Sequence, residues 1–379
     1  MATHRPPNIV LRLALRIESL LDDCFALFKK PLGADQPLHI IAFLGFGNSK
    51  QATLSGRVLL RKKRSTGSSN SRYRNLRNNY AHFNTDEVKG VTVQGRLGES
   101  LAAAESDEEG YFSLSFDTTH VLLNMQQALI KNNDLTVIPS YPVELSVPGF
   151  PDVSIEGIPE IIVPTDKAQF GIISDVDDTL LITKATSLLS MLKLTLFGSA
   201  QSRQAYPGIA DLYAALHNKI NPIFYVSSSP WNLYIFLMEF MQHHGFKAGP
   251  IMLRDFGLDE SKFIAGSHKD HKLAQIQRVL ECYPELSFIL SGDSGQDDAE
   301  IYTHIAQQYP GRIKTIYIRD VGQATARLKV QKLAEQMASQ NIDMLLIDNT
   351  LQAATHAAQK GFINAEVLEK VKTLENENY

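Results

Sequence analysis

The stretch FGIISDVDDTLL, residues 170–181, decides how the rest of the chain is read. Ile172 and Ile173 supply a short β-branched run that predicts a strand. Asp175 and Asp177 follow at its C-terminal end with Val176 between them, and then come Asp178, Thr179, Leu180 and Leu181. In an open α/β sheet, ligands bind outside the carboxyl ends of the strands. Two carboxylates placed there cannot both be buried without a partner, because each unpaired buried charge costs several kcal/mol. A hard divalent cation such as Mg²⁺ matches an all-oxygen donor set. The plainer reading is a solvated acidic turn after a strand, since loops are rich in Asp. The apolar run before the acids, and a second acidic element far downstream, weigh against it.

Outward from this stretch, the same grammar recurs. Residues 221–226 read as a second strand, and Ser227, Ser228 and Ser229 stand at its end. Hydroxyls and backbone N–H groups where a helix begins would cradle a phosphate. Equally, Ser-Ser-Ser-Pro is a plain helix N-cap, with Pro230 suited to the first turn of a helix over 231–244. Trp231 reads more readily as packing than as a ligand contact. Residues 286–290 form a third strand that runs into SGDSGQDDAEIY, residues 291–302. Gly292 permits close backbone approach there, and Asp293 supplies the second acidic element.

Together, DVDDT at 175–179, YVSSSPW at 225–231 and LSGDSGQ at 290–296 resemble the haloacid-dehalogenase-type phosphatases. They are similar in particular to the catalytic domain of the actin-patch-type phosphatidate phosphatases, over about residues 165–360. The resemblance implies a haloacid dehalogenase-like Rossmannoid parallel sheet and a phosphate monoester hydrolase that uses Mg²⁺. It implies Asp175 as nucleophile and Asp177 as general acid and base. Mg²⁺ would be held by Asp175, the Asp177 carbonyl, Asp293 and Asp298, with Asp297 the alternative to Asp298. Ser227 would contact the phosphate, with Ser228 as runner-up and Thr179 beside them. Lys272, which precedes a helical pattern of Leu273, Ile276, Val279 and Leu280, would neutralise the phosphoryl oxygens, with Lys269 as the alternative. The implied substrate is phosphatidate, going to diacylglycerol. A soluble phosphatase for a sugar phosphate, nucleotide or phosphoprotein stays open, as does a non-enzymatic lipid- or protein-binding module. His268 and His271 are assigned no metal, because the carboxylates suit Mg²⁺ better.

Around these motifs the catalytic half, residues 165–379, carries a helix over 209–218, a short element at 252–256 and a strand at 313–318. A helix–strand–helix unit follows over 334–363. Residues 182–204 form an apolar insertion, read as a small cap or flap suited to an acyl chain or as a face packed on the core.

Residues 1–164 read as an accessory unit. Leu11, Leu15, Leu20, Leu21, Phe25 and Phe28 fall near one face of a helix over 8–30. Arg12, Arg16 and Glu18 break its apolar stretch, so it does not read as a signal peptide. Strands are expected at 38–46, 55–60, 88–97, 110–116 and 134–147, which makes a small antiparallel β domain of sandwich type. Pro139 and Pro142 suit an edge strand. A Pro-rich run, 148–164, leads into the second half.

Arg61, Lys62, Lys63, Arg64, Arg72, Arg74 and Arg77 make residues 61–80 a basic loop. It is either a solvated surface or a contact to an anionic membrane, where each charge is worth ~1 kcal/mol. The chain has 379 residues, 44% hydrophobic and 21% charged, with net charge −4, an ordinary globular balance that does not point to nucleic acid. Cys24 and Cys282 are its only cysteines, which rules out a disulfide framework and fits a reducing cytoplasm with peripheral membrane contact.

Overall fold

The computed structural model describes residues 37–60, 87–119, 121, 138–182, 204–254 and 268–376. The expected helix over 8–30, the basic loop 61–80 and the body of the insertion 182–204 lie outside the described residues.

The first half builds two sheets. The larger has seven strands, among them β1 (Leu38–Ala42), β2 (Gly45–Gly47), β3 (Gln51–Leu60) and β6 (Tyr111–Asp117). β7 (Ser140–Pro142), β9 (Ser154–Gly157) and β10 (Glu160–Ile162) complete it. The smaller joins β4 (Thr92–Leu97), β5 (Ser100–Glu105) and β8 (Glu144–Ser146). β4 alternates strictly between exposed and buried residues, so one face goes to a shared core of Leu38, Ile40, Leu54, Val93, Leu114 and Leu145.

Pro142 does sit on an edge strand, paired only with β10. Three expectations are corrected. The large sheet is mixed, since β9 runs parallel to β1 and β10 parallel to β2. The run 148–164 is no plain linker, because it returns these two strands to the sheet. β5 was not foreseen; its Ala-rich text suits a helix, and only pairing along β4 makes it a strand.

The second half is an α/β layer structure around a six-stranded, all-parallel sheet. Its strands are β11 (Gly171–Ser174), β12 (Ile223–Pro230), β13 (Ile251–Arg254), β14 (Phe288–Asp293), β15 (Ile313–Arg319) and β16 (Asp343–Ile347). The order across the sheet is β13-β12-β11-β14-β15-β16. Successive residues face opposite sides. Ile172 and Ile289 look toward α1 (Ile209–His217), α2 (Tyr234–His243), α6 (Thr350–Gln359) and α7 (Ala365–Asn376). Ile173 and Leu290 look toward α3 (His268–Cys282), α4 (Asp298–Gln308) and α5 (Ala324–Ala338). Strands buried on both faces read as continuous apolar runs, which is what residues 170–174 and 286–290 show.

This order places a topological switch between β11 and β14, whose connections leave in opposite directions. The crevice outside their carboxyl ends is where such sheets bind ligands. Two local expectations change. Ser227–Pro230 continues β12 as extended chain, and α2 begins only at Tyr234, after one 3-10 turn at Trp231–Leu233. The Ser run is therefore not a helix N-cap, and neither the turn nor α2 has a side-chain cap. α3 starts at His268, so Lys272 lies inside the helix rather than before it.

Candidate active site

Asp175 is the first residue past β11, and Asp293 is the last of β14, so the switch point brings them together. Asp298 opens α4, and its N-terminal position favours negative charge. Asp175, Asp293 and Asp298 are all buried, and each offers an oxygen within 4.8 Å of the others. Gly292 makes this approach feasible, since a Cβ there would stand 2.5 Å from Asp298 Oδ2.

Lys272 enters the same space from α3, 2% exposed. Its Nζ lies 2.8 Å from Asp175 Oδ1 and 2.6 Å from Asp298 Oδ1, and 3.3 Å from Gln296 Oε1. Asp298 Oδ2 accepts from the Asp293 N–H at 3.1 Å, so both oxygens of Asp298 are engaged. Asp293 Oδ1 accepts from the N–H groups of Gly295 and Gln296 at 2.6 and 3.0 Å. Asp175 Oδ2 and Asp293 Oδ2 have no hydrogen-bond partner among the described residues.

Three carboxylates thus share one ammonium. Burial drives the Asp175 carboxyl well above the usual range; Lys272 opposes this, and the other acids reinforce it. Burial and the Asp298 charge push Asp293 up to about 7, against the pull of Lys272 and the Gly295 N–H. Burial alone would lower Lys272, but Asp175 and Asp298 outweigh it and hold the ammonium firmly protonated. Surplus buried negative charge and two open carboxylate oxygens fit a hard divalent cation.

Asp177 stands apart from this group. Its Oδ2 accepts from Ser227 Oγ at 3.0 Å and Ser229 Oγ at 2.8 Å. Burial raises its carboxyl, and the two hydroxyls pull it part of the way back. Its carboxylate is therefore not among the clustered metal donors, which leaves its main-chain carbonyl as the ligand that the resemblance implies. Asp178, next in line, holds φ +53°, a left-handed conformation that non-glycine residues rarely adopt.

The paired candidates differ in where they lie. Asp298 is buried in the cluster, whereas Asp297 is exposed and 3.9 Å from Lys329. Lys272 is in the site, whereas Lys269 pairs with Glu300 at 3.6 Å on the surface. Ser227 is tied to Asp177, and the Ser229 N–H donates to Ser227 Oγ at 2.9 Å. The buried hydroxyls of Ser228 and Thr179 have no hydrogen-bond partner among the described residues. Trp231 packs, stacked 4.1 Å from Phe43.

Ser229 was not picked out from the sequence. The signal was there, because residues two apart in a strand share a face with Ser227. Gln296 and the pair behind Asp175 were missed as well. Tyr213 and Ser174 join hydroxyls at 2.7 Å, and Ser174 Oγ donates to the Asp175 carbonyl at 2.6 Å.

Comparison with known proteins agrees with this geometry. Residues 170–320 match the family model described as "Phosphatidate phosphatase APP1, catalytic domain". A relative from Saccharomyces cerevisiae, "Phosphatidate phosphatase APP1", is 35% identical over 176 residues, covering 44% of this chain and 30% of that protein. An uncharacterized protein of Schizosaccharomyces pombe is 28% identical over 157 residues, covering 41% of this chain and 26% of its own length. The chain therefore matches less than a third of the length of either relative. The matched span begins one residue before β11 and ends one residue after β15, so it contains Asp175, Asp177, Ser227, Lys272, Asp293 and Asp298. Over residues 170–320, this chain is thus similar to the catalytic domain of the APP1-type phosphatidate phosphatases.

Proposed function

We propose that the chain is a Mg²⁺-dependent phosphatase that hydrolyses a phosphate monoester through an aspartyl-phosphate on Asp175. Its proposed substrate is phosphatidate at a cytoplasmic membrane surface, and its product diacylglycerol. One observation carries the reading. Asp175, at the switch point, keeps Oδ2 without a hydrogen bond among the described residues, while Lys272 and two further buried acids surround it.

The chemistry follows from charge. A phosphate monoester and a carboxylate are both anionic and repel. Mg²⁺ held by Asp175, the Asp177 carbonyl, Asp293 and Asp298 would remove that repulsion and polarise a phosphoryl oxygen. Lys272 adds a fixed positive charge beside Asp175 Oδ1. The hydroxyls of Ser228 and Thr179 hold the phosphoryl oxygens, while the Ser227 hydroxyl, whose proton goes to Asp177 Oδ2, would have to turn to join them. Asp175 Oδ2 attacks phosphorus, and the bond from phosphorus to the alcohol oxygen breaks. Asp177, whose carboxyl is pushed upward by burial, gives its proton to the departing oxygen. The resulting carboxylate then takes a proton from water, which attacks phosphorus and frees Asp175.

The lipid assignment rests on less. It is supported by the name of the yeast relative, the basic residues of 61–80 and the apolar text of 182–204. No helix among the described residues is long and apolar enough to cross a membrane.

The test is phosphate release from phosphatidate in mixed micelles with Mg²⁺, with wild type beside Asp175→Asn. Release abolished by EDTA and by the substitution supports the reading. Cleavage of a soluble ester but not phosphatidate removes the lipid. No cleavage of any ester leaves a binding module.

A further inference from the structure

The β unit reaches directly into the stretch that follows Ser227–Ser229 and adds to the hold that Leu233, Tyr234 and Ile235 have in the core of the parallel sheet. The ladder between β12 and β11 ends at Tyr225. The ladder between β12 and β13 breaks after Val226 and resumes at Pro230, so Ser227, Ser228 and Ser229 stand opposite Leu253 alone. Bulges of this kind re-aim side chains beside active sites. Here the bulge turns Ser227 and Ser229 onto Asp177. The 3-10 turn that ends it, Trp231–Leu233, has no side-chain cap.

Polar and aromatic contacts to that turn come from more than 170 residues earlier in the chain. Phe43, buried, stacks on the Trp231 ring at 4.1 Å and 14°, and its centroid is 4.5 Å from Tyr234. The Leu44 N–H donates to Tyr234 Oη at 3.0 Å. Arg57 Nη1 donates to Asn232 Oδ1 at 3.1 Å. Arg57 is itself locked, with Nε on the Glu109 carbonyl at 2.8 Å, Nη2 on Glu87 at 2.9 Å and its guanidinium 4.7 Å from the Tyr111 ring. Phe43 belongs to the core of the parallel sheet rather than to that of its own unit.

We infer that Phe43, Arg57 and Asn232 are positioning residues. They brace the exit of β12 and so hold Ser227 and Ser229 in register on Asp177. The β unit is on this view part of the catalytic apparatus, not an appended module. The inference rests on the phosphatase reading above. The brace touches neither phosphate nor the acid cluster. Its loss would leave the acid cluster and Lys272 in place and act chiefly on the alignment of Asp177 for proton transfer, so kcat should suffer more than KM, since a small misplacement from a remote change can cost up to about a hundredfold.

The experiment uses the full chain with Phe43→Leu, Asn232→Ala and Asn232→Asp, the last keeping an oxygen acceptor for Arg57. For each variant, kcat and KM on the cleaved ester are measured beside thermal melting. Phe43→Leu and Asn232→Ala are expected to lower kcat by about tenfold or more while KM moves by less than about threefold. Asn232→Asp is expected to restore kcat to near wild type. If Phe43→Leu does not fold, the two Asn232 variants carry the test. The inference is overturned if folded Asn232→Ala turns over like wild type, if KM rather than kcat absorbs the change, or if Asn232→Asp is as slow as Asn232→Ala. An inactive wild type would instead sink the phosphatase reading, and this inference with it; an active wild type with active brace variants sinks the brace alone.

Discussion

Arg57 and Lys272 are both buried cations, and the molecule treats them in opposite ways. Arg57 is 6% exposed, and its Nε, Nη1 and Nη2 each find one acceptor, of which Glu87 alone is charged. Its charge is paired, and at least three of its five N–H donors are taken. Around Lys272, three buried carboxylates crowd one ammonium, and two carboxylate oxygens have no hydrogen bond among the described residues. Buried polar groups are almost always satisfied, and a cluster left open is costly unless something from outside completes it. A closed knot holds a fold together, whereas an open one is shaped for a cation and an anion that arrive later.

The sharpest way to break this contrast is Asp175→Asn. Phosphate release is expected to fall by about 10⁴-fold or more, since a nucleophile is removed. The metal-free protein should nevertheless melt higher than wild type, because one of three crowded carboxylates becomes neutral. A lower melting temperature would show that the acid cluster is not a source of strain.

Lys272→Met probes the same knot from its other side. It leaves three buried acids without a counter-ion, so unfolding free energy should drop by about 3–5 kcal/mol in denaturant titrations. Turnover should fall by roughly 10²–10³-fold for loss of a charge beside the reacting oxygen.

Arg57→Met tests the closed knot. We expect a loss of about 2–3 kcal/mol by the same titration, moderated because Glu87 is partly solvated. Activity should fall by only about tenfold. A larger kinetic than thermodynamic effect would erase the distinction between the two knots.

The smallest expected effect is a pH slope. Asp293 titrates near 7 in the folded, metal-free protein, against 3.8 for an ordinary Asp. Its folded-state value is raised, so its contribution to stability is full below the unfolded value and is lost as pH rises through about 7. Melting temperature without metal should therefore decline from pH ~5 to ~8. Saturating Mg²⁺ should flatten that decline, since it binds the ionised form.

Much of the site was legible because its marks are local. An apolar run ending in DVDDT states a strand and its acidic terminus within ten residues, and Gly292 next to Asp293 repeats the pattern. What stayed illegible needed partners remote in sequence. The Ala-rich β5 becomes a strand only beside β4. The short β9 and β10 exist because β1 and β2, more than a hundred residues earlier, accept them. Only the irregularity opposite Leu253 shows that Ser227 and Ser229 turn toward Asp177, while the Ser228 hydroxyl has no hydrogen-bond partner among the described residues.

By itself, then, the sequence determined which chemistry-bearing residues lie at strand ends, because strand periodicity and turn chemistry act over a few neighbours. Tertiary structure alone decided that β14 lies beside β11, that Asp298 rather than Asp297 and Lys272 rather than Lys269 turn inward, and that a remote Arg and Phe grip the exit of β12. The physical reason is that pairing order and helix phase are settled by burying apolar faces across the whole sheet. Local propensity does not encode which distant faces will meet.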